Sequence, residues 1–421
     1  MAHFNPMFRR PRKRAAPATA VAVIGVIVTA VTACSSSGGN QSPANAPKNS
    51  VIEIGSEMPL TGQLLVVPQL EAGINAAVSS INAQGGLDGH PLKLVVCDTA
   101  YDPNQELSCM RTLISDKVSA IVAPLIVADT SGREYQLAGA ANIPVVGSLG
   151  LTQVEYNSQG TFPLVGGIPS WVYGAVEHLI ANGAKKIGYL GEATPASELI
   201  GQLVKAADKS AGITTTQVVN TDDTTSDPTF AIGAAKAIAG NPDGIVVTTN
   251  PQFVPKAVLA LRHAGYTGAI STISSILSPA VIKALGSAGN GLLVTSDVAL
   301  VSDTSNPAVA EFLAAMKKYQ PSASIEELTI DGWGAVQLLA KVASGDVTAA
   351  EIMRSFENLK GTAGIGVMGP FAQPAKPPYL GDFPNIYNAT VENGVLKDAV
   401  IVSDGKGFVN PFTRLADYVR K

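Results

Sequence analysis

The chain is poor in the residues that carry chemistry on their own. It holds four histidines and three cysteines in 421 residues. His90 sits in a turn, while His178 and His263 fall near the ends of helical patterns, so no pair has metal-ligand spacing. No G-x-S-x-G elbow is present to raise a nucleophilic serine. The string GIGVMG (364–369) matches a dinucleotide loop letter for letter. The residues after it, PFAQPAKPPYLGDFP, are too rich in proline to open the helix that would hold a pyrophosphate. No cofactor is expected, and nothing marks an enzyme. The formal charge of −4 leaves no basic excess for nucleic acid. At 5% aromatic residues, broad stacking surfaces are also excluded.

What is present begins at the N-terminus. Arg9, Arg10, Arg12, Lys13 and Arg14 precede the apolar stretch AAPATAVAVIGVIVTAVTA and the small residues Thr32 and Ala33. Positive charge, an apolar core and small residues, in that order, make an export signal. An uncleaved anchor helix is the alternative, since the run reaches the lower edge of the length that spans a bilayer. VTAC (31–34) resembles the lipobox of bacterial lipoproteins, the alternative being a chance cysteine after a signal. The resemblance implies removal of residues 1–33 and lipidation of Cys34. It places the protein on the outer face of the bacterial cytoplasmic membrane, held through the lipid anchor only. Cys97 and Cys109 then remain as an even pair. In an oxidising compartment a bridge between them would remove on the order of 3 kcal/mol of unfolded-chain freedom. Two free thiols packed among apolar groups are the other possibility. The stretch SSSGGNQSPANAPKNS reads as a flexible tether over 34–50, with a reach of about 20–25 Å.

From residue 51 short β-branched runs alternate with helical patterns. VIEIG, PLKLVVC, VSAIVAP, IPVVG, KKIGYLG, ITTTQVV, DGIVVTT, GAISTI and GLLVTS read as strands. This is an α/β chain with parallel sheets covered on both faces. Strands in this number divide between two doubly wound lobes joined by a hinge. The gap at 147–170 marks the division. The expected lobes are 51–168, completed by about 297–363, and 169–296, completed by about 364–421. Helical patterns at 306–318, 325–343 and 348–358 precede a hairpin with turns at Asn393-Gly394 and Asp404-Gly405. Ligands of open parallel sheets collect beyond the carboxyl ends of strands. That places the site on loops 58–68, 98–103, 124–131, 147–152, 191–197, 248–253, 271–278 and 295–300.

IGSEMPLTG (54–62), INAQGGLDGHPLKLVVCDTAYDP (81–103), VSAIVAP (118–124), IPVVG (143–147), AKKIGYLG (184–191), LRHAGYTG (261–268), GLLVTSD (291–297) and DGWGAVQLLA (331–340) occur in order. As a set they resemble the type I periplasmic solute-binding proteins of ABC importers, in the branch that serves leucine, isoleucine, valine and amides. The resemblance implies two α/β lobes, a small-molecule ligand clamped between them, a monomer, and delivery to ABC permease and ATPase subunits. A sensor or scaffold of the same fold is the alternative. Within these motifs Gly85 and Gly86 stop a helix, and Asp102 before Pro103 starts one. The acid pairs Asp222-Asp223 and Glu326-Glu327 read as a solvated turn and a solvated helix start.

Amino-acid binders of this branch hold the ligand carboxylate with Ser/Thr in the loops after strands three and four, and the ammonium with an acid in the second lobe. Here Val127 falls where the serine stands. Val67 and Pro68 fall where an aromatic is expected, Ile273 or Ser274 at the acidic position, and Pro195 where a tyrosine often packs. Thr130, Ser148 and Glu192 lie close enough to supply part of what is missing. Trp171, with Tyr173, is positioned to cap a ligand, the alternative being that both simply pack at the hinge, and Asn250 and Ser274 present polar tips at strand ends. The expected ligand is more apolar than free leucine and carries at most one charge. A branched-chain amino acid is the competing expectation.

Overall fold

The computed structural model describes residues 50–401, apart from 63–64, 130, 223–228, 374–376 and 378–385. Five strands form the first sheet: β1 (Ile52–Met58), β2 (Leu92–Asp98), β3 (Ala120–Val122), β4 (Val145–Val146) and β5 (Thr161–Phe162), in the order β2-β1-β3-β4-β5. All its pairings are parallel. The helices α1 (Pro68–Ala83), α2 (Pro103–Ser115), α3 (Arg133–Ala140) and α4 (Gln153–Asn157) lie between these strands. Proline at the start of α1 and α2 presets the first helical turn, and the Asp102 carboxylate accepts the Asn104 and Gln105 amides at 2.9 Å.

The second sheet has the order β12-β11-β10-β9-β8-β6-β7. Its parallel part comprises β6 (Lys186–Glu192), β7 (Thr214–Thr221), β8 (Gly244–Thr248), β9 (Ala269–Ile273) and β10 (Leu293–Ser296). The antiparallel hairpin of β11 (Tyr387–Glu392) and β12 (Val395–Ile401) closes one edge. Its turn uses Asn393 and Gly394 at φ 51° and 80°, the positive values a tight hairpin requires. The second turn expected at Asp404-Gly405 lies outside the described residues. This sheet carries α5 (Gly167–Ala181), α6 (Pro195–Ala211), α7 (Ala231–Ala237), α8 (Val254–His263) and α9 (Pro279–Leu285). Strands such as AIV in β3 and GIVVT in β8 are buried throughout, as parallel strands covered on both faces must be.

Three more helices, α10 (Pro307–Tyr319), α11 (Glu327–Val342) and α12 (Ala349–Glu357), return to the first sheet. There α11 crosses α1 at near-backbone distance. A Cβ on Gly73 would lie 2.0 Å from the Thr329 carbonyl oxygen, and one on Gly332 would lie 2.3 Å from that of Leu70. Only glycine permits this approach, so both residues fix where the N-terminus of α11 points.

The chain therefore passes between the sheets three times, and the passages are tied to one another. The Ala299 amide donates to the Val367 carbonyl at 2.7 Å, and Val298 bridges Met368. The Gly167 amide, on the first passage, donates to the Asp297 carboxylate on the second at 3.2 Å. Asp297 thus staples the hinge.

Candidate functional site

The loops at the carboxyl ends of the first sheet are each held by a carboxylate of the chain itself. Asp98, ending β2, accepts the Leu60, Thr61 and Ala100 amides at 2.8, 3.2 and 2.9 Å and the Thr61 hydroxyl at 2.6 Å. Burial works to raise its pKa, but the Thr61 hydroxyl and these amides outweigh it and bring the group down to about 2. Glu106, in the first turn of α2, accepts the amides of Val127, Ala128 and Asp129 at 3.0, 3.0 and 2.7 Å. Glu155, in α4, accepts those of Gly150, Leu151 and Thr152 at 2.5, 2.8 and 3.4 Å. Burial raises both glutamates, against the amides that favour their ionised forms. These two loops follow β3 and β4.

Across the molecule, Glu192 ends β6 and accepts the Asn250 amide at 2.7 Å and its side-chain Nδ2 at 3.0 Å. Tyr101 joins the two sheets electrostatically. Burial raises its phenol, and Glu106 and then Glu192 push the same way, so carboxylates from both sheets flank it. Ala100 and Tyr101 are consecutive non-glycine residues at φ 48° and 59°. Such backbone costs of order 1–3 kcal/mol per residue and concentrates at ligand clamps. Glu57, next to last in β1, is buried with no partner for its carboxylate oxygens among the described residues. Burial holds its pKa well above the ordinary value, with Glu134 and Glu106 adding to the effect.

A second acidic group lies at the hinge. The Ser274 hydroxyl donates to Glu327 Oε2, and Ser296 donates to the same oxygen at 2.9 Å. Ser274 follows β9 and Glu327 opens α11, so this contact links the two lobes. Burial drives Glu327 well up, as do Asp297 and Asp331 beside it. Burial pushes Asp297 up to about 7, against the Trp171 indole and the Gly167 amide, which favour the ionised form. Asp331 is raised well above its ordinary value by burial and by Asp297. Next to them is a cavity of about 220 Å³, whose wall includes Ser274, Ser296 and Glu327.

The residues singled out from the sequence are distributed as follows. Glu192 and Asn250 bond each other, and Ser274 joins the hinge group. Ser148 is buried beside Glu155. Val127 is half-buried, with its amide given to Glu106. Val67 is only 1% exposed and packs in the first core, while Trp171 and Tyr173 pack in the second beside the hinge. Thr130 and Cys34 lie outside the described residues. Cys97 and Cys109 form a disulfide with Cα atoms 5.5 Å apart.

One expectation is corrected. Glu327 is not a solvated helix start but a buried carboxylate, because α11 begins against the hinge rather than at the surface. Sequence reasoning also missed Asp98, Tyr101, Glu106, Glu155, Asp297 and Asp331. Glu327 and Asp331 had a signal: two acids four apart share a helix face, here in the otherwise apolar run LTIDGWGAVQLLA.

Comparisons with known proteins agree with this architecture. A 72-residue stretch is 38% identical to the Leu/Ile/Val-binding protein homolog 2 of Brucella abortus, covering 17% of this chain and 19% of that relative. An extracellular ligand-binding receptor from Verminephrobacter eiseniae superposes with a TM-score of 0.72 at 20% identity, over 83% of this chain and all of that one. The branched-chain amino acid transporter substrate binding protein of Streptococcus pneumoniae, solved in complex with isoleucine, gives 0.69 at 20% identity, over 84% of this chain and 99% of that one. The family profile of periplasmic binding proteins matches residues 51–377, and the chain belongs to that family.

Proposed function

We propose that the protein is an extracytoplasmic receptor that clamps a small organic solute between its two lobes and delivers it to the permease and ATPase subunits of an ABC importer. In this reading residues 1–33 are a cleaved signal, Cys34 carries lipid, and 34–50 tether a monomeric body to the membrane. The first lobe runs over 51–168 with about 297–363, and the second over 169–296 with about 364–421. Tyr101, Glu192, Asn250 and Ser274 contact the solute, and Trp171 stands behind them.

The solute is not a standard branched-chain amino acid. The observation that carries this is the occupation of the backbone amides after β3 and β4 by Glu106 and Glu155. A ligand carboxylate brought there would find these amides already given to Glu106 and Glu155 and two like charges nearby, and a desolvated charge without a partner costs several kcal/mol.

Thermal unfolding against a solute panel tests the reading. Leucine, isoleucine, valine, neutral amides, amines and short organic acids, each at about 1 mM, form the panel. A micromolar ligand adds about 4 kcal/mol at that excess, a rise of several degrees. Silence from the three amino acids with a response to another solute is the expected result. A leucine or valine response would return the protein to branched-chain amino acid binding.

A further inference from the structure

Three carboxylates meet at the hinge, and none of them is paired with a cation among the described residues. Asp297, Glu327 and Asp331 each keep one oxygen that has no hydrogen-bond partner among the described residues. The ion pairs of the described residues lie elsewhere, at Lys93–Glu53, Arg133–Asp129 and Lys397–Glu392. Burying even one unpaired carboxylate is expensive, and a fold keeps such a group only where a proton or a ligand relieves it.

The adjoining cavity supplies the space for a ligand. Glu327 forms part of its wall with the hydroxyls of Ser274 and Ser296, and Leu277, Ile282 and Val301 supply apolar surface. Among the described residues, no lysine, arginine or histidine lines it. Its 220 Å³ accommodates about seven water-sized groups. At the rim, Val395 of the hairpin is 51% exposed, apolar surface that a bound solute would cover.

Resting on the receptor reading above, we infer that the hinge end of the solute site takes a small primary ammonium ion with an apolar tail. The N–H donors go to Glu327 and the seryl oxygens, and the tail fills the cavity. An ammonium group brings three donors and one positive charge to a place with spare acceptors and excess negative charge. A carboxylate brings the opposite of both. The solute also joins the lobes, because Ser274 follows β9 of the second sheet and Glu327 opens the helix packed on the first.

The test is calorimetric titration of the purified protein with 3-methylbutylamine, 3-methylbutanoate and leucine, which share an isobutyl group and differ in charge. The amine is expected to bind and the acid not to. Glu327→Gln should weaken the amine at least tenfold while leaving the thermal transition intact. Val301→Phe, which fills the cavity and spares every carboxylate, should abolish amine binding, so the inference stays testable if Glu327→Gln folds poorly. Binding of the acid or of leucine in preference to the amine overturns the inference and leaves the solute receptor standing. An amine that binds equally well to both variants overturns it too, as does no amine binding up to about 10 mM. The receptor reading itself fails only if the wider panel is also silent.

Discussion

Asp98 and Asp297 are the same residue in opposite circumstances. Asp98 ends a strand of the first sheet and gathers three amides and a hydroxyl, which hold it ionised down to about pH 2. Asp297 follows a strand of the second sheet and faces Glu327 and Asp331, and burial lifts it to about 7 against the Trp171 indole and the Gly167 amide. The contrast extends to their surroundings. Around the first sheet Asp98, Glu106 and Glu155 are consumed in holding loops, while Glu57 is left without partners among the described residues. At the hinge the carboxylates outnumber their donors. A carboxylate with its hydrogen bonds complete is architecture, and one left short of them is capacity for a ligand.

The largest expected effect breaks the first half of that comparison. Glu106→Ala leaves three part-buried amides without their acceptor and should cost about 3 kcal/mol, read as a fall of several degrees in thermal unfolding. Glu327→Gln removes a buried charge that has one unpartnered oxygen and no cation beside it among the described residues, and should leave the ligand-free transition unchanged or raise it at pH 8. If the two variants destabilise alike, the distinction between the regions fails.

A smaller effect comes from displacing the hinge group without changing its chemistry. Gly332→Ala pushes α11 away from the Leu70 carbonyl and carries Glu327 with it. We expect a loss of about 2 kcal/mol together with a weakened amine response, both measurable in one ligand-dependent unfolding series.

The pH profile sharpens the comparison with opposite signs. Asp98 is lowered in the fold, so its contribution is present above about pH 4 and is lost as pH falls towards 2. Asp98→Asn should therefore destabilise at pH 6 and converge with the parent near pH 2. Asp297 is raised, so the fold tolerates it best below about pH 4, and that contribution is lost as pH rises through about 7. With Glu326, Glu327, Asp331 and Trp171 around it, Asp297→Asn should match the parent at pH 4 and gain on it at pH 8. The smallest effect follows from Asp208, buried in α6 and lifted by burial to about 6 despite the Thr215 hydroxyl. Asp208→Asn should give a modest gain at pH 8 and none at pH 4.

Much of the fold was legible in the sequence, because an apolar β-branched run between glycines is a local property. All nine strand readings from VIEIG to GLLVTS correspond to strands. The exceptions are β5 and α4, at two and five residues too short to show a period, and both fall in the stretch read as a gap. The site was less legible. Glu106 and Asp102 are near neighbours at the start of one helix, yet one caps that helix and the other reaches a loop more than twenty residues away. Nothing local separates them. Tyr101 was hidden because its flanking Asp102-Pro103 explains itself as a helix start, which drew attention from the left-handed backbone just before it.

The disulfide gives this arrangement a history. Cys97 precedes Asp98 on β2, and Cys109 lies in α2 one turn beyond Glu106. The bond therefore couples the two elements whose carboxylates hold the loops after β1, β2 and β3. Polypeptide made and kept among reduced thiols would acquire the same sheets but set these loops less firmly. Material produced in a reducing cytoplasm and material matured after export should differ in solute response before they differ in fold, and any preparation used to search for the solute is best made by the exported route.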